Sequence, residues 1–276
     1  MQARMATAPA RSAVDNEDFA AVTPSAAVLL DGAGIPAGVE SGCVHGVAWF
    51  TRVLGTALLA RACDPAGGSL PGCLAAAIDD VRRLHGGTCD LHHPGTPTAT
   101  VVAIRVQDGE LEHLVLTDST LVLTRVGGPI QVVTDRRLDS ALGNTRAALA
   151  RVPLGHPEYA AAFREHMLVV QGLRNSSGGF WVAAADPMVA EHALTGSSPL
   201  SSLESALLVS DGASRLADLF GLVSWADLAA IVRLDGPFEL IRQVRAAEAA
   251  DPDGRRWHRS NATDDATVVY CDQLGY

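Results

Sequence analysis

The chain has 276 residues, enough for one large domain with a sizeable core or for two small ones. Its formal net charge of −10 argues against nucleic-acid binding, which requires a basic surface. All 21 basic residues are arginine, which excludes chemistry that needs lysine, such as a P-loop or a Schiff base.

The five cysteines are odd in number, and no two of them form a C-x-x-C pair. This content argues against a disulfide framework and against a thiolate zinc site, and it fits a protein of the reducing cytoplasm. Residues 47–63 are apolar but short and carry two arginines. They indicate a buried helix, so we expect no membrane partner.

The beginning of the chain divides into a tail and a hairpin. Residues 1–12 are rich in alanine, and we expect a flexible tail there, followed by one domain over residues 13–276. Phe19–Val22 is apolar, Pro24 introduces a turn, and a second apolar run ends at Asp31. This order predicts an opening β-hairpin that delivers a carboxylate to the end of a strand.

The next third of the chain changes from a helical to a strand pattern. Apolar residues at helical spacing predict helices over 42–61 and 70–85. A nearly continuous apolar run at 98–106 predicts a buried strand, and the Asp-Gly pair at 108–109 predicts a tight hairpin turn. We expect an antiparallel meander of four strands that ends at Thr134.

The last part of the chain is mixed. Residues 136–175 are predicted to be mostly helical, followed by a strand at 180–184, a short helix and a Ser-rich loop. A strand then leads to Asp211, helical segments cover 213–250, and a final strand spans 266–271. Because strands occur in antiparallel groups and helices in pairs, we predict one α+β domain in which helices cover a sheet sandwich.

Histidines and cysteines show no spacing typical of a ligand set. His45, His92 and His93 lie in loops or at a helix start, and no H-x-x-H motif occurs. Cys43 and Cys89 have no neighbouring base that would activate a nucleophile. We therefore expect packing or turn roles for all five.

Seven acids share one context, since each of them flanks or ends an apolar strand at a turn. They are Glu17, Asp18, Asp31, Asp118, Asp211, Asp264 and Asp265. Aspartate is an ordinary turn residue, so turn chemistry explains any single one of them. Several carboxylates at one sheet end repel one another unless a cation lies among them, and oxygen ligands suit Mg²⁺ or Mn²⁺.

Five short motifs occur in order at these acids. They are N-E-D at 16–18, D-G-A-G at 31–34, D-S at 118–119, S-D-G at 210–212 and D-D-A-T at 264–267. The ordered set resembles the metal-dependent protein phosphatases of type 2C, the PPM family, over about residues 15–271. The stretch R-N-x-x-G-G-F-W-V-A at 174–183 resembles a divergent actinobacterial branch. The resemblance implies an αββα sandwich of two antiparallel sheets flanked by helices.

The resemblance also implies a two-metal site. Asp31 would bridge two Mg²⁺ or Mn²⁺ ions, Asp211 and Asp264 would hold one of them, and Glu17 with the carbonyl of Gly32 would hold the other. The three aspartates would be the catalytic residues. A hydroxide between the ions would attack a phosphate monoester in line, without a phosphoenzyme. The family default is a phosphoserine or phosphothreonine protein.

Other acids have supporting roles by the same resemblance. Asp118 matches an acid that helps to hold a third, weaker ion. That third ion is doubtful here, because Arg215 stands where many relatives have a further aspartate. Asp18 would order metal-bound water, and Asp265 is expected to lie behind the metal ligands.

The position of the family's phosphate-binding arginine is Ala13 in this chain. Arg11 lies two residues earlier and is one candidate to replace it. Arg215 lies one helical turn past Asp211 and could grip phosphate with both guanidinium nitrogens, or could pair only with a surface acid. Arg259 could belong to a basic rim, although a solvated loop is the simpler interpretation.

Several functions therefore stay open from the sequence. The leading one is a bacterial, cytoplasmic phosphatase acting on phosphorylated protein, and a small phosphorylated metabolite is an alternative substrate. The rival is a PPM-fold binding or regulatory protein with weak or no turnover. The retained metal-ligand positions favour the enzyme, and the missing arginine favours the rival. A metal enzyme acting on other substrates has no positive support.

Overall fold

The computed structural model of the chain describes residues 1–12, 14–35 and 40–275. Ten strands, numbered along the chain, occur in these ranges. They are β1 (Gln2–Ala8), β2 (Phe19–Val22), β3 (Ala26–Ala33), β4 (Thr98–Gln107), β5 (Glu110–Leu116), β6 (Thr120–Arg125), β7 (Gln131–Val133), β8 (Leu194–Pro199), β9 (Leu203–Val209) and β10 (Ala266–Asp272).

The strands form two five-stranded sheets, and every neighbouring pair is antiparallel. The first sheet has the order β1-β10-β9-β6-β7, and the second has the order β2-β3-β4-β5-β8. The inner faces of the two sheets pack on each other through one apolar cluster, to which both sheets contribute. The predicted αββα sandwich is therefore confirmed.

The described part of the chain also forms seven α-helices. They are α1 (Val47–Ala62), α2 (Leu70–Leu84), α3 (Arg137–Leu149), α4 (Tyr159–Leu173), α5 (Asp211–Ser214), α6 (Trp225–Asp235) and α7 (Pro237–Ala250). Helices α1 and α2 cover the second sheet, and α6 and α7 cover the first. Helices α3 and α4 pack on each other. Among the described residues, no helix combines the length and apolar character that a bilayer span requires.

Strand β3 shows why the central strands are continuous apolar runs. Alternate side chains point to opposite faces of a strand. Val28 and Leu30 face the helices and pack in the same cluster as Leu54 of α1. Ala27 and Leu29 face the other sheet. Because both faces are covered, no polar residue interrupts the strand until the chain reaches the sheet end.

The N-terminal segment is a strand, so the predicted flexible tail over residues 1–12 is wrong for its larger part. β1 pairs with β10 along its full length, from Gln2 opposite Asp272 to Ala8 opposite Ala266. Most β1 side chains are exposed, so the segment has no hydrophobic alternation to reveal it. Main-chain hydrogen bonds to β10 hold the segment, and these do not depend on side-chain type.

The predicted four-strand meander is two hairpins in different sheets. β4 and β5 pair in the second sheet, whereas β6 and β7 pair in the first. The chain crosses between sheets at Thr117, which adopts a left-handed conformation with φ of 71°. Its hydroxyl donates to the carbonyl of Trp181 over 2.7 Å. The crossing places Asp118 where the two sheets meet.

Three smaller differences concern local pairing. The predicted strand at 180–184 makes only isolated bridges, between Ala99 and Ala183 and between Arg174 and Phe180. The Ser-rich segment predicted as a loop contains β8, an edge strand that pairs with β5. Helix α1 begins at Val47 rather than at residue 42, because the preceding residues form a loop.

Replacing Leu29 with alanine tests the sheet-on-sheet packing. Leu29 is fully buried between the sheets, so Leu29→Ala should lower the free energy of unfolding by about 2–5 kcal/mol, measured in urea. Leu168→Ala is the control, because Leu168 is 68% exposed on α4 and its loss should cost below about 0.5 kcal/mol. Equal effects of the two substitutions would contradict this packing.

Candidate metal centre

Acids from both sheets converge at one end of the sandwich. Asp31 ends the apolar part of β3 in the second sheet, and Asp211 begins α5 directly after β9 in the first. The backbone N–H of Asp211 lies 3.4 Å from Oδ2 of Asp31. Asp264 lies two residues before the start of β10, and Asp118 lies at the crossing between the sheets. With Glu17, Asp18 and Asp265, these residues are called the acidic centre below.

Two glycines permit the close approach of separate chain segments at the acidic centre. A Cβ on Gly32 would lie 2.6 Å from the carbonyl oxygen of Glu17 and 2.5 Å from Cγ1 of Val47. A Cβ on Gly212 would overlap the carbonyl oxygen of Asp265. Any larger residue would therefore push these segments apart. The glycines behind Asp31 and Asp211 are required by packing around the acids.

Asp265 ties the N-terminal segment to the acidic centre. One carboxylate oxygen accepts the N–H of Ala10 and the other accepts the N–H of Glu17, each over 2.6 Å. A carboxylate that accepts main-chain hydrogen bonds is held firmly in place. Asp265 therefore sets the position of Glu17 and joins the N-terminal segment to the acids that precede β10.

Asp18 is a buried acid with few surrounding groups that could stabilise its negative charge. Its residue surface is only 7% exposed, and neither carboxylate oxygen makes a hydrogen bond of good geometry within the described residues, although the hydroxyls of Ser210 and Thr267 lie near it. A buried polar group that is poorly bonded costs free energy unless an ion or an ordered water supplies the contact. Asp18 is therefore one of the residues that could hold a cation or a cation-bound water.

Burial and mutual repulsion raise the pKa of five acids of the acidic centre. Burial is the main cause for each of these five, and the neighbouring carboxylates add to it. The pKa is raised to about 7 for Glu17, Asp18 and Asp118, to about 6 for Asp264, and well above its ordinary value for Asp31. These carboxylates therefore take up protons more readily than exposed acids do, and a bound cation would oppose that effect.

Arg215 is a fixed cation inside the acidic centre. It is 5% exposed, and its guanidinium donates to Oδ2 of Asp264 over 2.6 Å and to Oε1 of Glu248 over 2.7 Å. Glu248 also accepts a hydrogen bond from Arg245 over 2.8 Å. The sequence left open whether Arg215 binds phosphate or pairs with a surface acid. The structure shows ion pairs, but with the buried Glu248 and with Asp264 of the acidic centre rather than with a surface acid.

The other two arginines predicted to bind substrate lie in different settings. The Arg259 side chain is 1% exposed, and it donates to the carboxylate of Asp251 over 3.0 Å and to the carbonyl of Ala262 over 3.1 Å. It therefore closes the loop before β10. Arg11 is exposed near the end of the N-terminal segment. Ala13, at the position of the family arginine, lies outside the described residues.

A cavity of about 330 Å³ opens beside the acidic centre and contains basic residues that the sequence analysis missed. Asp118 and Asp211 line one side of it. Arg136, Arg146 and His258 line other parts, and we call this the basic cavity. No sequence motif marks these three residues, because they come from a predicted helical stretch and a distant loop that only the fold brings together.

Comparisons with known proteins place the fold. No protein-family model matches the chain, and no curated protein sequence matches it. The serine/threonine phosphatase PstP/Ppp of Mycobacterium tuberculosis matches with a TM-score of 0.57 at 17% identity, over 98% of this chain and 97% of that one. A structure of the PstP catalytic domain in complex with two manganese ions matches with a TM-score of 0.56 at 18% identity, over 98% and 97%.

A third solved structure agrees with these two. The PPM Ser-Thr phosphatase MsPP from Mycobacterium smegmatis, in complex with cacodylate, matches with a TM-score of 0.55 at 19% identity. The match covers 99% of this chain and 98% of that one. The chain therefore has the fold of the PPM-type serine/threonine phosphatases along nearly its whole length.

Proposed function

We propose that this chain is a phosphatase that hydrolyses phosphate monoesters with the aid of Mg²⁺ or Mn²⁺. The observation that carries the proposal is the convergence of Asp31, Asp211 and Asp264 from two different sheets at one partly open site. The fold of the similar phosphatases supports it, as does the manganese in the PstP structure.

The donor set of the acidic centre fits two divalent cations. All its candidate ligands are oxygen atoms, which Mg²⁺ and Mn²⁺ prefer. Among the described residues, Arg215 pairs with Asp264, and this single ion pair leaves an excess of negative charge for metal ions to balance. Asp31 would contact both ions, Asp211 and Asp264 one, and Glu17 with the Gly32 carbonyl the other. When bound, such ions lower the pKa of a water between them and offset the charge of the phosphate.

The chain's own residues would position this chemistry. Asp265 holds the backbone of Glu17, and Asp18 presents bare carboxylate oxygens to a water or ion. Arg215, anchored by Glu248, keeps Asp264 in a defined orientation. We propose two ions rather than three, because Arg215 already supplies a positive charge beside Asp264 and Asp211.

The basic cavity is the proposed substrate side of the site. Arg136 and Arg146 line it near Asp118 and Asp211, and both pair with Asp139, so an approaching phosphate group would compete with that carboxylate for them. A volume of about 330 Å³ suits a phosphorylated side chain of a protein. It also favours the second candidate, a small phosphorylated metabolite. A cytoplasmic, bacterial setting stays a prediction that rests on the cysteine content and the family resemblance.

The central prediction concerns Asp31. Asp31→Asn should reduce Mn²⁺-dependent hydrolysis of p-nitrophenyl phosphate by more than about 100-fold. Loss of a residue that only supports a metal ligand costs up to about 100-fold, and loss of a ligand itself should cost more. Calorimetric titration should show two Mn²⁺ ions per wild-type chain and fewer in the variant. Asp108→Asn is the matched control, because Asp108 lies in an exposed hairpin turn that asparagine also tolerates.

The same two measurements separate the enzyme from the binding protein. Two bound Mn²⁺ ions without turnover of p-nitrophenyl phosphate or of a phosphothreonine peptide would favour the non-catalytic alternative. Hydrolysis that survives Asp31→Asn with unchanged Mn²⁺ dependence would contradict the proposed site.

A further prediction concerns the buried ion pairs of Arg215. Arg215→Ala leaves Asp264 and Glu248 without this partner, so the free energy of unfolding in EDTA should fall by about 3–5 kcal/mol. Added Mn²⁺ should recover part of the loss. Arg242→Ala, which removes an exposed pair with Glu239 on α7, should change the free energy of unfolding far less, because water and salt screen an exposed pair. A large rise in KM without loss of stability would instead support direct phosphate binding by Arg215.

The basic cavity leads to a kinetic prediction. Arg146→Ala should raise KM for a phosphorylated substrate by about 10–100-fold, the value of one hydrogen bond between charged groups, and should change kcat less. Arg164→Ala on α4 is the control, since Arg164 is exposed and lies outside the cavity lining. An unchanged KM in the first variant would remove Arg146 from the substrate side.

A further inference from the structure

A second cluster of ligating side chains lies outside the acidic centre. Cys43 and His45 precede α1, His85 directly follows α2, and Cys89 lies four residues further on. One potential ligand atom from each of the four lies within 4.8 Å of all the others. We call these four residues the Cys-His cluster. The cysteine and histidine spacing in the sequence argued against a thiolate zinc site, so this cluster was not expected.

We propose that the Cys-His cluster binds one Zn²⁺ ion in tetrahedral geometry. The sulfur atoms of Cys43 and Cys89 are 3.5 Å apart, and Nδ1 of His45 lies 3.3 Å from the Cys89 sulfur. The Cys43 sulfur lies 3.8 Å from Nδ1 of His45 and 3.8 Å from Nδ1 of His85.

These distances match the edges of a zinc tetrahedron. Zn–S bonds of about 2.3 Å and Zn–N bonds of about 2.0–2.1 Å give edges of about 3.8 Å between sulfurs and about 3.6 Å between sulfur and nitrogen. Each of the four measured distances lies within about 0.3 Å of these values. Four of the six edges therefore agree with a zinc tetrahedron, and the other two, from His85 to His45 and to Cys89, are at most 4.8 Å.

The ligand types select zinc over the metals expected at the acidic centre. Two thiolates and two imidazoles suit Zn²⁺, whereas Mg²⁺ and Mn²⁺ prefer oxygen ligands. Because the protein supplies all four ligands, no position stays open for a water or a substrate, so the site would be structural. A disulfide is absent, since the two sulfurs lie far beyond the bonding distance of about 2.05 Å.

Neighbouring groups hold the ligands in place. The N–H of Val44 points to the Cys89 sulfur over 3.4 Å, a contact that favours a negatively charged thiolate. The ring of His45 stacks on Trp49 of α1, with ring centroids 4.2 Å apart. The carbonyl of Gly42, a glycine in the left-handed region with φ of 70°, accepts the N–H of Asp90 over 2.8 Å.

The site would join two loops that the chain separates by two helices. Cys43 and His45 fix the entry to α1, and His85 and Cys89 fix the exit from α2. Zinc would cross-link these segments, a role that disulfides cannot fill in a reducing compartment. The ion would also restrain Val47, the first residue of α1, which packs against Gly32 at the acidic centre.

Metal analysis of the purified full chain tests the proposal. Chain purified without chelators should contain about one zinc per molecule, and substitution with Co²⁺ should produce the visible absorption of tetrahedral cobalt with thiolate ligands. Cys43→Ser and Cys89→Ser should each weaken zinc binding by more than about 100-fold in competition with a chromophoric chelator. Cys63→Ser, at the other end of α1, should leave it unchanged.

Further variants keep the outcome clear if a serine variant folds poorly. Cys43→His retains a zinc ligand and should restore folding and binding, because imidazole also suits Zn²⁺. Asp31→Asn should keep the zinc and the cobalt spectrum while losing Mn²⁺, so failure of the proposed phosphatase site is distinguishable from failure of this one.

Three results would overturn the zinc site. One is wild-type chain that contains no zinc and takes up none in the competition assay. Another is zinc that both serine variants bind as tightly as the wild type, which would place the ion elsewhere. The third is a thiol count of three rather than five in the unfolded chain without reductant, which would show a disulfide between Cys43 and Cys89 instead.

Discussion

Repulsion among buried carboxylates is the main energetic cost that the rest of this structure must offset. Asp31 and Asp211 come from different sheets, yet a backbone N–H of one lies within 3.4 Å of the other's carboxylate. Gathering such groups at a sheet end opposes folding, because burial and like charges both disfavour their ionised forms. The apolar contact between the two sheets must offset this cost. Acids kept at a destabilising position are more easily explained by chemistry than by stability.

Arg215 changes how this repulsion is balanced. A metal ion supplies charge only when it is bound, whereas Arg215 supplies charge permanently to Asp264 and is itself held by Glu248. Asp264 is therefore oriented before any metal arrives. Within the described part of the chain, Asp18 and Asp31 make no comparable ion pair, so a metal ion, a water or a proton would have to stabilise them. Asp264 is thus held in position without a metal ion, whereas Asp18 and Asp31 are not.

The sequence predicted those features of the fold and the site that neighbouring residues determine, such as an acid at the end of an apolar strand. Asp31 and Asp211 each end an apolar strand before a glycine, and the order of such motifs carried the family resemblance that implied the αββα class. The crossing at Thr117 was missed because a short turn does not specify which sheet the next strand joins. β1 was missed because main-chain bonding leaves no side-chain pattern. The Cys-His cluster was missed because its two halves are separated by α1 and α2, so no ligand spacing appears in sequence.

The separation of the two clusters by ligand chemistry gives each ion a place of its own. Oxygen ligands gather at the sheet ends, and sulfur and nitrogen ligands gather at the ends of α1 and α2, so the Cys-His cluster would be the preferred site for zinc. The clusters are nevertheless mechanically connected through α1. Val47 lies so close to Gly32 that not even a methyl group would fit between them. A zinc ion that fixes the entry to α1 would therefore also fix Val47 beside Gly32. Loss of that zinc would disturb the Gly32 carbonyl, a proposed metal ligand, without changing any carboxylate.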